Sequence, residues 1–145
     1  MKTKIIIVIV IILAIIGLAV YGYLKAIPQN SDEPAAETPT IAITPQNYNF
    51  GEINYGDVAE YTFTIENKGG QNLEIKKVAT SCGCTTAKAS SENIAPGEKT
   101  DLQVTYNTAA MSGEHAKGDQ ERIIYVRSND PNNPQAEVTI NAHVN

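Results

Sequence analysis

The sequence predicts an all-β domain, two sheets packed face to face, carried behind a single apolar helix at the N-terminus. Three observations predict it. Residues 5–24 contain no charge, and 14 of these 20 are Ile, Leu or Val. From Ile41 onward apolar side chains recur at every second position, and turn residues interrupt them roughly every 8–15 residues. The domain is rich in Val, Ile and Thr, has no tryptophan, and is punctuated by Asn, Gly and Pro, a mix that favours strands and turns.

The apolar run comes first. As a helix, 20 residues span roughly 30 Å, the thickness of a bilayer's hydrocarbon core. Its 14 large aliphatic residues supply roughly −4 to −8 kcal/mol of insertion free energy. Lys2 and Lys4 precede the run and acidic residues follow it, so the positive-inside rule places the N-terminus in the cytoplasm and the rest outside. Tyr21 and Tyr23 fall at the far end, where amphipathic rings suit the interface. The competing reading is a cleaved signal peptide, whose apolar region is usually shorter. Val20-Tyr21-Gly22 and Leu24-Lys25-Ala26 match a cleavage site only loosely, and no cysteine lies nearby to accept a lipid. Residues 1–25 are therefore expected to be a transmembrane anchor or uncleaved signal, with the domain held extracytoplasmically at the cell membrane.

Residues 26–40 read AIPQNSDEPAAETPT. Three prolines, polar and acidic side chains and no apolar periodicity mark an extended linker. Residues 41–145 are the domain.

Within the domain the strands follow in order. Ile41 and Ile43 open a short one that ends at Pro45, and Tyr48 and Phe50 precede Gly51. Tyr61, Phe63 and Ile65 alternate with Thr62, Thr64 and Glu66, the pattern of a half-buried strand. Asn67-Lys68-Gly69-Gly70 reads as a hairpin turn into Leu73, Ile75 and Val78. Ala95-Pro96-Gly97-Glu98 is a further turn before Leu102, Val104 and Tyr106. Ile124 and Val126 form the next strand, Ser128–Pro134 a long turn, and Val138, Ile140, Ala142 and Val144 the last strand. About seven strands and no trustworthy helical period point to an immunoglobulin-like β-sandwich. The antibody hallmarks are missing, since two cysteines this close cannot bridge two sheets, and a sandwich held by its core alone is expected.

Charge narrows the function. The net charge is −5, and beyond Lys25 the chain carries 8 basic against 16 acidic residues. That is the wrong sign for nucleic acid, and basic residues such as Lys76, Lys88 and Arg122 are scattered. No Ser-His-Asp order, paired carboxylates or phosphate-cradling glycine loop is present, so no enzyme is expected.

Several motifs in order carry a family resemblance. They are Phe50-Gly51-Glu52-Ile53 with Gly56, Phe63-Thr64-Ile65-Glu66-Asn67-Lys68-Gly69, Leu73-Glu74-Ile75, Ser81-Cys82-Gly83-Cys84-Thr85, Ile94-Ala95-Pro96-Gly97-Glu98, and Ser128-Asn129-Asp130-Pro131. Across residues 46–144 the chain resembles the bacterial family called domain of unknown function 1573, an immunoglobulin-like group akin to PapD-like and fibronectin-like sandwiches. Residues 107–121 depart from it, being longer and more polar than the family's glycine-centred connection. The resemblance implies a fold and an exported location, and no reaction.

Cys82 and Cys84 are the only cysteines, placed between a strand and a loop. Three readings stay open. A disulfide would close a three-residue ring, worth only roughly 1.6 kcal/mol in loop entropy, and strain in so small a ring suits a reducible bond better than a staple. Gly83 would then permit the tight turn. Two thiolates could instead hold Cu(I), helped by Met111 or His115, although they leave a zinc shell incomplete. Last, both could be small, partly buried thiols that shape a bend beside a strand end, without chemistry. The leading expectation is thus a non-catalytic binding or scaffolding module, tethered to the membrane and meeting an extracytoplasmic protein partner along a sheet edge. The alternative is a thiol-redox or Cu(I)-handling protein acting through Cys82 and Cys84.

Overall fold

The computed structural model describes residues 12, 13, 15–18, 21, 38–111 and 116–145, and nine strands among them build the sandwich. These are β1 (Ile41–Thr44), β2 (Asn47–Ile53), β3 (Val58–Asn67), β4 (Leu73–Thr80), β5 (Thr85–Ala89), β6 (Asn93–Ile94), β7 (Lys99–Asn107), β8 (Gly118–Ser128) and β9 (Gln135–Val144). One sheet has the order β1-β3-β7-β5 and the other β2-β9-β8-β4-β6. The sequence shows about seven strands because β5 and β6 lack bulky apolar residues at alternate positions. β5 reads Thr-Thr-Ala-Lys-Ala and turns only Thr85 and Ala89 fully inward, and β6 is two residues long.

The expected membrane helix lies largely outside the described residues. Of that segment, residues 12, 13, 15–18 and 21 are helical, and no helix among the described residues is long and apolar enough to cross a membrane. The linker beyond Lys25 is described only from Thr38.

Alternation decides which side chains meet in the core. Phe63, Ile65, Leu102, Val104 and Tyr106 from one sheet face Leu73, Ile75, Ile124, Val126, Val138 and Ile140 from the other, all of them buried. The opposite face of the first sheet is polar, with Thr64 across from Asp101 and Thr62 across from Gln103. Lys99 and Glu66 form an ion pair of 3.9 Å on that face. Tyr48 on β2 stacks on Tyr61 of β3 at 3.5 Å between ring centroids. Phe63 meets the edge of Tyr61 at 4.8 Å, continuing the aromatic contact inward.

The turn at Asn67-Lys68-Gly69-Gly70 is not a hairpin. It carries the chain from β3 in one sheet to β4 in the other. Gly69 serves close packing there: a Cβ on it would lie 2.1 Å from the Thr38 carbonyl oxygen, so only glycine lets the incoming chain pass. Asn67, wholly buried, fixes the turn. Its Nδ2 donates to the carbonyls of Gln71 (2.8 Å) and Ile94 (2.9 Å), and its Oδ1 accepts from Gly69 N–H (3.0 Å). Asp130, 1% exposed, does the same for β1. Its carboxylate accepts from the N–H groups of Ile41 (2.9 Å), Asn132 (2.8 Å) and Asn133 (3.1 Å). Buried polar ties therefore supplement the apolar core.

β1 and β2 are successive strands in different sheets, joined across a cis Thr44–Pro45 bond. β2 pairs in parallel with β9 from Thr139 onward. The first half of β9, Gln135–Val138, is thus paired on one side only, with β8. It faces the outer edge of β1, which pairs only with β3, across a groove of about 620 Å³.

Candidate functional site

The Cys-Gly-Cys segment lies between two strands, not between a strand and a loop. It joins β4 of one sheet to β5 of the other. Each arm is tied down. Ser81 N–H donates to Ile123 O (2.9 Å) and Ser81 Oγ accepts from Ile123 N–H (3.0 Å), which fastens the first arm to β8. Asn107 N–H donates to Cys84 O (2.9 Å), which fastens the second to β7. Between them Thr80 Oγ1 sits 3.0 Å from Cys82 O and 2.9 Å from Thr85 O. The turn is held by both sheets.

The two sulfurs form a disulfide, with Cα atoms 5.3 Å apart. Their environments differ. Cys84 is buried, 3% exposed, and belongs to the core cluster, while Cys82 is half-buried. Gly83 is exposed, does not take a positive φ, and a Cβ there would meet nothing within 4 Å other than its two cysteine neighbours, which flank it in the chain. The expectation that glycine is needed to make this turn is therefore corrected: the backbone at residue 83 does not use the left-handed φ that favours glycine. Beyond its two cysteine neighbours, Gly83 faces open space.

Arg122, on β8, gathers the rest of the site. Its Nε–H donates to Cys84 Sγ at 3.1 Å and its Nη2 to Met111 Sδ at 2.9 Å. Nη2 also donates to Gln120 Oε1, and Nη1 to Glu121 O (2.6 Å). The guanidinium carbon stands 5.8 Å from the ring centroid of Tyr106, within cation–π range. No ion pair joins Arg122 to a carboxylate among the described residues. On the sulfur side, Cys84 N–H donates to Cys82 Sγ (3.2 Å), and Thr85 Oγ1 lies 3.5 Å from Cys82 Sγ and 3.8 Å from Cys84 Sγ.

Of the four residues singled out in sequence, the structure brings Cys82, Cys84 and Met111 to one place around Arg122. His115 lies outside the described residues, so its place in a ligand set with Met111 is not drawn. As a disulfide, neither sulfur is the thiolate that Cu(I) requires. No group of three His, Cys, Asp or Glu side chains that could hold a metal gathers among the described residues. Sequence reasoning missed Arg122 and Gln120. A signal existed: on β8 the inward positions are Ile124, Val126 and Ser128, and period two places Gln120 and Arg122 on the same face. A polar pair on the core side of a strand asks for a partner, and the disulfide is that partner.

The site sits at the end of the sandwich away from Thr40. β3 starts at this end, where Val58 pairs with Asn107, and finishes at Asn67, beside Thr40. Tyr55 and Val58, 45% and 57% exposed, share the disulfide's end, and Tyr55 OH donates to Met111 O at 3.1 Å.

Comparison with known proteins agrees with this architecture. Residues 41–144 match the family model described as "Protein of unknown function (DUF1573)". The chain belongs to that family. No curated protein matches it. Among solved structures, a protein of unknown function from Porphyromonas gingivalis is similar over 81% of this chain, at 23% identity and a TM-score of 0.66. This chain covers 51% of that one, about half its length. The ASH/PapD-like domain 7 of human CEP192 aligns with 82% of this chain and 92% of its own, at 10% identity and a TM-score of 0.55. The YadV chaperone aligns with 72% of this chain and 52% of its own, at 15% identity and a TM-score of 0.54. These likenesses show a PapD-like, immunoglobulin-like fold.

Proposed function

We propose that this DUF1573 member is a membrane-tethered module outside the cytoplasm that binds a partner protein along an open sheet edge, without catalysing a reaction. The observation that carries the reading is the groove between β1 and the first half of β9. Antiparallel alternation, with Lys68 N–H donating to Thr40 O (2.8 Å) on the β3 side, turns the backbone groups of Ile41 and Ile43 outward. Asp130 occupies the Ile41 N–H. The groups of Ile43 face the groove, and an extended segment can add there as a strand, gaining main-chain hydrogen bonds.

Tethering is supported by the charge-free run over residues 5–24 and by its helical members. Ile12, Leu13, Ile15, Ile16 and Leu18 lie 50–72% exposed, an apolar surface suited to lipid. A disulfide between the two cysteines fits an oxidising compartment.

Photo-crosslinking in cells tests the edge. A photoreactive residue placed at Gln46 or Glu137, both lining the groove, is expected to give one discrete adduct with another protein. The same residue at Thr62 or Gln103, on the polar outer face, is expected to give none. Equal labelling from both sets of positions, or labelling from neither, contradicts edge binding.

A further inference from the structure

We propose that the Cys82–Cys84 disulfide is an exchangeable oxidant of protein dithiols, with Cys82 the attacked sulfur, Cys84 the leaving sulfur and Arg122 the positioning residue that holds the leaving thiolate. The proposal rests on the site at the far end of the sandwich and is independent of the edge groove.

Three observations carry it. The first is the ring itself. A bond between residues two apart hardly restricts the unfolded chain, and here the backbone hydrogen bonds of Ser81 and Cys84 already fix the turn to both sheets. Stapling is a small part of what this bond can do. The second is asymmetry. Cys84 is 3% exposed and lies in the core, whereas Cys82 is half-buried beside an exposed glycine. An incoming thiolate meets Cys82 first.

The third observation is the charge on Arg122. Its donors go to two sulfurs, both weak acceptors, and to amide and carbonyl oxygens. No carboxylate among the described residues pairs with it. In the disulfide state this half-buried cation faces a neutral sulfur. On reduction the same Nε–H, 3.1 Å from Cys84 Sγ, faces an anion and gains a charge-assisted hydrogen bond. The reduced state is favoured selectively, which makes the couple more oxidising, since a disulfide whose reduced form is stabilised is the stronger oxidant.

The step balances without another reagent. A substrate thiolate attacks Cys82 Sγ, a bond forms between the two sulfurs, the Cys82–Cys84 bond breaks, and its electron pair stays on Cys84 as a thiolate against Arg122. The substrate's second thiolate then attacks the substrate sulfur of this mixed disulfide. The substrate disulfide forms and Cys82 leaves as a thiolate. Two electrons pass from the substrate, which enters as two thiolates after losing its thiol protons to solvent, and the protein ends with both cysteines as thiolates. The backbone N–H of Cys84, 3.2 Å from Cys82 Sγ, is placed to receive that second anion.

The test uses the full chain in detergent micelles, equilibrated in glutathione buffers, with thiols trapped by alkylation and counted by mass. The wild type is expected to open within the glutathione range. Arg122→Gln is expected to shift the equilibrium about tenfold toward the disulfide, equivalent to about 30 mV, and Arg122→Lys is expected to restore part of that shift. With Cys84→Ser, glutathione is expected to form a stable mixed disulfide on Cys82. An Arg122→Gln equilibrium equal to wild type overturns the proposal, as does a wild-type bond that glutathione leaves closed. Should Arg122→Gln lose its fold by circular dichroism, the Cys82→Ser chain decides by ultraviolet thiolate absorbance. The Cys84 thiolate is expected at lower pH in the folded chain than in denaturant, and the reverse order overturns the assignment.

Discussion

Phe63→Ala is expected to lower the midpoint of thermal unfolding by about 12–40 °C. Phe63 has no exposed surface and sits on β3, an interior strand paired with β1 on one side and β7 on the other. Its ring meets Tyr61 edge-on at 4.8 Å, and Leu102 lies across from it in register. Removing a wholly buried phenylalanine costs about 3–5 kcal/mol, from lost transfer free energy and from the cavity that neighbours fill only partly. In a domain of this size each kcal/mol moves the midpoint by about 4–8 °C. Far-UV circular dichroism of the full chain in detergent measures it, with Thr62→Ala on the outer face as the control, expected within about 0.5 kcal/mol of wild type. A Phe63→Ala shift as small as the control's would place the core elsewhere.

Asp130→Ala is expected to cost about 2–4 kcal/mol, although it removes no apolar contact. The carboxylate, 1% exposed, accepts three backbone N–H groups from two parts of the chain. Those of Asn132 and Asn133 belong to exposed residues and can turn to water, whereas Ile41 is buried and its donor is stranded. Leaving a buried donor unpaired costs about 1–3 kcal/mol, and losing bonds to a charged acceptor adds to it. The effect should be regional as well as global: amide exchange at Ile41 and Ile43 is expected to speed up more than exchange in β7 or β8. Uniform acceleration, or none, would show that Asp130 does not hold β1 to the body of the sandwich.

Much of this architecture is legible in the residues themselves. Strands β3, β7 and β9 announce themselves because each lays bulky side chains on one face only, and that face is the one the core buries. Strand β5 hides because Thr85 and Ala89, its buried positions, are too small or too polar to register as an apolar alternation. Gly69-Gly70 misleads for a different reason. A hairpin and a crossover between sheets need the same turn residues, and only the distant pairing of β4 with β8 decides between them. The reason for Gly69, the passage of Thr38 against it, is equally non-local.

The site shows the same division. Cys82 and Cys84 stand out by type and spacing, and Met111 by its sulfur. Arg122 carries no such mark, since it is one of eight basic residues beyond Lys25. Its role depends on β8 placing residue 122 beneath a turn that starts from β4, forty positions earlier in the chain. Only the inward register shared with Ile124 and Val126 hints at it. Gly83, by contrast, is the residue a sequence reader credits with the turn, and the backbone there does not require it.

In the proposed reading the domain lies outside the cytoplasm, and its only two cysteines are joined to each other. Thiol labelling of intact spheroplasts expressing the full chain, with a membrane-impermeant alkylating reagent, tests both parts together. The predicted result is no label at Cys82 or Cys84 until an impermeant phosphine reductant is added, then label at Cys82 with the membrane still sealed. Labelling without reductant, or labelling that appears only after the membrane is broken, would contradict it.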